Sequence, residues 1–295
     1  MSRGIARVGV VGLGAMGLPM ASRLASGGFA VAGFDLREAA RAALAQAGGE
    51  AAGSAAAAAE GADALILMVV NAAQAEAALD AALDALAPDA LVLLMATCAP
   101  ADAARIGARV TESGRTVLDA PVSGGVKGAQ SGTLTIMAAG EGAAFARARP
   151  LLERLGDKIF HVGERAGQGA MVKTVNQLLC GVHIAACAEA LSLGEKAGLD
   201  SGQLLEILSG SAASSWMLRD RGPRMLEDDP SVASAVDIFV KDLGLVLDAG
   251  REARAALPLA ASALQMFLAA SGQGHGGADD SQVLRAYRAL NAPKT

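Results

Sequence analysis

Val10-Val11-Gly12-Leu13-Gly14-Ala15-Met16-Gly17-Leu18 follows a short apolar run and opens a helical one, and its reading decides the fold. Residues 6–11 are apolar and valine-rich, as a buried strand requires. The glycines after it allow a tight turn, a close approach of backbone to a pyrophosphate, and packing of the next helix on the strand. A helix starting near residue 18 then points its first amides at the phosphates. Residues 29–34 form the next expected strand, and it runs into Asp35. A carboxylate there can accept both ribose hydroxyls and repels a 2′-phosphate. The pattern predicts a dinucleotide site built from Gly12, Leu13, Gly14, Ala15, Met16, Gly17 and Asp35. NAD is favoured over NADP, with Arg37 leaving NADP open.

The alternation continues outward from this unit. Residues 37–47, 51–60, 74–86 and 101–113 are expected to be helical, and 64–70, 90–95 and 116–118 to be strands. Such an order with short connections specifies an α/β Rossmann domain with a doubly wound parallel sheet. Ligands bind these sheets beyond the carboxyl ends of the strands, which places Val69, Val70, Asn71, Thr97 and Ser123 near one mouth. Residues 132–140 resemble an edge strand, 141–155 a helix and 158–162 a final strand. The first domain is therefore expected over 1–163, and 164–295 should hold a long joining helix and an all-α domain.

Two further stretches carry polar groups in unusual settings. Asp119-Ala120-Pro121-Val122-Ser123-Gly124-Gly125 exposes a hydroxyl and several amides after a strand, an arrangement suited to a carboxylate and equally to an ordinary turn. Gly167-Gln168-Gly169 opens a helix expected over 170–197, on which Lys173, Asn176 and Gln177 share a face. From 178 to 193 its polar side chains are only His183, Glu189 and Ser192, so burial on most sides is expected. Taken alone, Lys173 also fits a structural lysine at the end of a core helix, and Lys241 fits a ligand contact or a carboxylate partner.

The chain has 295 residues, 53% of them hydrophobic, enough for two domains and a sizeable core. A net charge of -5 without a basic block argues against nucleic acid, so an anionic substrate needs local donors. Cys98, Cys180 and Cys187 form no paired framework, which suits a reducing, cytoplasmic setting. No apolar run is expected to span a membrane, and His161, His183 and His275 share no metal-ligand spacing, so no metal is expected.

With these pieces assembled, the sequence resembles the beta-hydroxyacid dehydrogenase family over nearly its whole length. The resemblance rests on residues 11–20, on Asp119 to Gly125, on Gly167-x-Gly169-x-x-x-Lys173, and on Lys241-Asp242-Leu243. It implies NAD-dependent oxidation of a small hydroxy acid, with Lys173 as catalytic acid or base. It also implies that Ser123, Gly124 and Gly125 hold the substrate carboxylate and that Thr97 and Lys241 stand at the cofactor end. A homodimer or homotetramer is implied as well. Two positions depart from the family pattern. Asparagine is common four residues after the lysine, where this chain has Gln177, preceded by Asn176; and Leu94-Met95-Ala96-Thr97 replaces an Asp-x-Ser-Thr. The first departure bears on substrate identity, since Asn176 and Gln177 would line the substrate side. Within the family, residues 176–186 and 234–248 look most like the branch that oxidises L-threonate at C2. Rival readings are reduction of tartronate or succinic semialdehyde, oxidation of 3-hydroxyisobutyrate, and an NAD-binding regulator without activity.

Overall fold

The glycine turn, the strand before it and the helix after it form the centre of a nine-stranded sheet. The computed structural model describes residues 4–292. The strands are β1 (Arg7–Val11), β2 (Ala30–Phe34), β3 (Glu50–Ala51), β4 (Ala64–Leu67), β5 (Leu91–Leu94), β6 (Thr116–Asp119), β7 (Val122–Ser123), β8 (Leu134–Ala139) and β9 (Gly156–Gly163). The helices among and after them are α1 (Gly17–Ser26), α2 (Glu38–Gln46), α3 (Ala55–Ala59), α4 (Ala72–Ala82), α5 (Pro100–Glu112), α6 (Gly125–Ser131), α7 (Gly142–Leu155) and α8 (Gln168–Lys196). Five more follow: α9 (Ser201–Gly210), α10 (Trp216–Met225), α11 (Val236–Glu252), α12 (Pro258–Ala270) and α13 (Leu284–Asn291). One compact unit ends at Lys173 and the other begins at Thr174, so the division falls within α8.

In the first unit the strand order is β3-β2-β1-β4-β5-β6-β8-β7, with β9 paired to β8. From β3 to β6 all pairings are parallel. The chain then reverses: β8 runs antiparallel to β6 and β7 and parallel to β9. Alternate residues of the central strands enter opposite cores, as a sheet covered on both faces requires. Ala64, Ile66, Leu91 and Leu93 join the side chains of α1, α2, α6 and α7. Leu65, Leu67, Val92 and Leu94 join those of α3, α4 and α5, together with Ala170 from the first turn of α8.

Several elements differ from the expectation. Residues 132–140 were expected at an edge, but β8 lies inside the sheet, because β7 and β9 take up its two sides. The alanine-rich stretch near 51–60 gives up its start to β3, where Glu50 pairs with Ala32, and Ser54 then caps a shorter helix by accepting from the Ala57 amide.

The second unit is helical. Ile184, Cys187, Ala188 and Leu191 of α8 pack with Leu205, Met217, Phe239, Leu243, Phe267 and Tyr287. A Cβ at Gly181 would meet Leu243 Cδ2 at 2.7 Å, so α8 and α11 approach closely there. Arg221 and Arg224 of α10 pair with the buried Asp280 and Asp279. The burial expected on most sides of α8 is confined to one stripe, since Leu179 and Leu193 are 50% and 67% exposed. By length and composition α8 could cross a membrane, but half of its most apolar window is buried inside the protein.

The turn itself is fixed by sterics. Gly12 has φ +96°, and a Cβ there would lie 2.2 Å from the Met68 carbonyl oxygen. At Gly17 it would lie 1.9 Å from the Gly12 oxygen, the contact that sets α1 on β1. Gly17→Ala should therefore cost about 2 kcal/mol or more through overpacking. It should also weaken NAD binding; a thermal melt and an NAD titration both indistinguishable from wild type would contradict this.

Candidate active site

The first component of the site lies at the carboxyl ends of β1 and β2. The Asp35 carboxylate accepts the Leu13 amide on Oδ2 at 2.8 Å and the Arg37 amide on Oδ1 at 2.9 Å. The Arg37 guanidinium lies over the same carboxylate, with Nε 3.0 Å from Oδ1, and donates to the Leu13 carbonyl oxygen at 3.2 Å. Burial alone would raise the Asp35 pKa, but hydrogen bonds from Arg37 and Leu13 outweigh it and hold the carboxyl below its ordinary value. A dinucleotide fits this turn. At Gly14 a Cβ would meet no atom closer than 3.9 Å, so the backbone is open to an incoming group. The first turn of α1 has no side-chain cap, which leaves amides for an anion. Leu13, Ala15, Met16 and Gly17 complete the turn, and the Asp35 carboxylate supplies the acceptor for a ribose.

Further along the sheet, Val70 follows β4, is half-exposed, and donates its amide to Gln74 Oε1 at 2.9 Å. Thr97 follows β5, half-buried between the buried Ala96 and Cys98. Ser123 ends β7, where it pairs with Thr135 of β8. Gly124 and Gly125 adopt φ +131° and +63°, turning the chain from that strand into α6. A Cβ on Gly125 would meet nothing within 4 Å, so its backbone is also approachable.

The Ser123 loop and the Lys173 helix share an anchor in Asp119, the last residue of β6. Its side chain is buried, at 1% exposure, and its Oδ2 accepts the amides of Gly167 at 2.8 Å and Ala170 at 2.9 Å. Gly167 has φ +98°, and a Cβ on it would lie 2.8 Å from the Pro100 oxygen. A Cβ on Gly169 would lie 2.5 Å from the Met137 oxygen and 2.7 Å from that of Asp119. Both glycines of the motif are therefore required by close backbone packing. One helical turn past Gly169 stands Lys173, 6% exposed.

Beyond Lys173 the same helix carries a hydrogen-bonded chain. Asn176 Nδ2 donates to Gln177 Oε1 at 2.8 Å, and Gln177 Nε2 donates to Asp242 Oδ2 on α11. Lys241 Nζ lies 2.7 Å from Asp242 Oδ1. Asp242 and Gln177 are both buried, so their hydrogen bond satisfies one carboxylate oxygen away from water. Gln177 thus spends its amide on the protein. Asp119 in the first unit and Asp242 in the second were each given no role on sequence grounds. For Asp242 the available signal was a carboxylate set in the apolar run of α11.

Burial pushes the Asp119 carboxyl up to about 6, against the amides of Ala170, Gly167 and Gly169, which pull it down. Its folded pKa lies above the ordinary 3.8, so the folded state binds the proton more tightly. The stability this group contributes is full below about pH 4 and is lost as pH rises through about 6. From about pH 4.5 to about pH 7 the unfolding free energy of wild type should fall by about 2 kcal/mol relative to Asp119→Asn. Denaturant melts at the two pH values check this, and a constant difference would contradict it.

A family model described as the NAD binding domain of 6-phosphogluconate dehydrogenase matches residues 7–163. One described as the NAD-binding of NADP-dependent 3-hydroxyisobutyrate dehydrogenase matches residues 167–287. The L-threonate dehydrogenase of Cupriavidus necator is 45% identical over 296 residues, covering 99% of this chain and 99% of that protein. That of Escherichia coli K12 is 41% identical over 97% of this chain and 96% of its own length. A crystal structure of 3-hydroxyisobutyrate dehydrogenase from Salmonella typhimurium matches with TM-score 0.91 at 41% identity, covering 95% of this chain and 99% of that one.

Proposed function

The chain belongs to the beta-hydroxyacid dehydrogenase family, and from that premise we propose that it oxidises L-threonate at C2 to the 2-oxo acid, with NAD as the acceptor. The observation that carries the reading is a buried lysine on a pinned helix turn, in the same unit as a dinucleotide turn and a carboxylate loop. L-threonate rather than another hydroxy acid rests on the relatives of that name, at 45% and 41% identity over nearly the full length.

Each residue has a stated task in this reaction. The Ser123 hydroxyl and the amides of Gly124 and Gly125 receive the substrate carboxylate and orient the carbinol carbon. Lys173 takes the hydroxyl proton as neutral amine, and returns it to the carbonyl oxygen in the reverse direction. Its burial keeps bulk water from the proton transfer. Asn176 and Gln177 are assigned to the substrate, their side chains linked to each other and, through Gln177, to Asp242. Thr97 and Lys241 keep the cofactor roles that the family resemblance implies. When bound, NAD supplies the hydride acceptor, and the Asp35 carboxylate selects it over NADP. The proposed functional division is 1–163 for the cofactor and 164–295 for substrate and assembly, ahead of the division of the compact units after Lys173. A cytoplasmic homodimer or homotetramer accords with a chain of only three cysteines and with exposed Leu179 and Leu193 on α8.

The test is NADH formation by purified protein with L-threonate, D-threonate, D-glycerate, 3-hydroxyisobutyrate and 4-hydroxybutyrate, each with NAD and NADP. L-threonate with NAD should give the highest kcat/KM. Lys173→Ala should lower kcat by about a thousandfold or more while NAD binding persists. Preference for 3-hydroxyisobutyrate would move the substrate within the family, and retained turnover in Lys173→Ala would remove the lysine from the chemistry.

A further inference from the structure

We propose that Asp119 is the positioning residue for Lys173: its carboxylate grips the first amides of α8 and thereby fixes where the lysine amine stands relative to Ser123. The inference rests on the reading of Lys173 as the acid–base group.

The geometry supports this at both ends of the grip. The backbone of Asp119 is held in register on two sides, against Leu94 of β5 and Ala139 of β8. Its side chain then accepts from Gly167 and Ala170, on either side of the helix start. A Cβ on Gly169 would fall within 3 Å of the backbone oxygens of Asp119 and Met137, so the first turn lies close against both strands and has little room to shift. Lys173 lies one turn above Gly169, and movement of that turn carries the amine with it. In the other direction, Ser123 follows Asp119 across a short loop whose end is paired with β8. One carboxylate therefore connects the group proposed to hold the substrate with the group proposed to take its proton.

A buried carboxylate that costs stability when ionised is retained here where three backbone amides meet it. Those amides would otherwise be orphan donors at a helix start packed on the sheet. Structural capping alone would be served by any acceptor and would leave the chemical step untouched once the chain had folded. A positioning role predicts more. Displacement of a catalytic group by about 1 Å can cost on the order of a hundredfold in rate.

The experiment is steady-state kinetics of Asp119→Ala, Asp119→Asn and Gly169→Ala, on whichever of L-threonate, D-glycerate and 3-hydroxyisobutyrate the wild type oxidises fastest, with NAD titrations and thermal melts alongside. Asp119→Ala should lower kcat by about a hundredfold while KM for the hydroxy acid and the NAD dissociation constant change by less than about threefold. Asp119→Asn keeps an acceptor oxygen and should restore kcat to within about tenfold of wild type. Gly169→Ala retains both Asp119 and Lys173 but forces the helix start off the strand, and should reproduce the kcat loss. Folded Asp119→Ala and Gly169→Ala proteins with wild-type kcat would overturn the inference, as would losses that merely track the unfolded fraction. Should Lys173→Ala be inactive while Asp119→Ala is not, only the positioning role falls. Should Lys173→Ala remain active, both readings fall.

Discussion

The structure depends on a buried carboxylate meeting the start of a long helix. Asp119 has almost no contact with water, and its ionised form is tolerated because backbone amides of residues 167–170 point at it. The same residue belongs to the sheet, paired with β5 on one side and β8 on the other. The position of the first turn of α8 is thus set by strand register, which is strongly specified in a buried sheet. Whatever the lysine on the next turn does, it does from a place fixed by the sheet.

Steric exclusion supplies the second constraint. Gly12 and Gly17 bring strand and helix together at the dinucleotide turn, and Gly167 and Gly169 do the same at the start of α8. At each of the four a Cβ would come within 3 Å of a backbone oxygen. Gly14 and Gly125 differ, for their faces are open, as sites that receive a ligand's charged groups need to be. The glycines therefore separate into those that pack the fold and those that leave room for chemistry.

Much of this was legible in the chain. The turn at Gly12 to Gly17 and the carboxylate at Asp35 declare themselves by local spacing, because the physics that requires them acts within a few residues. Apart from the two-residue β3, the alternation of strands and helices was readable up to β6 for the same reason. The reversal after β6 was not, since the central place of β8 depends on β7 and β9 closing over it. Nor was the role of Asp119, whose partners lie 48 and 51 residues away and are backbone amides with no signature of their own. The link from Gln177 to Asp242 spans 65 residues, so no local signal announced that its carboxamide reaches a neighbouring helix. One-sided burial of α8 was hidden by an apolar composition that runs all round the helix.

The most direct measurement is amide hydrogen exchange, resolved by residue, at Gly167, Gly169 and Ala170 in the intact protein and in Asp119→Ala. The account requires these amides to be protected in the wild type and to exchange faster in the variant, with the middle of α8 unchanged. Rapid exchange at all three in the wild type, or protection that survives removal of the carboxylate, would contradict it.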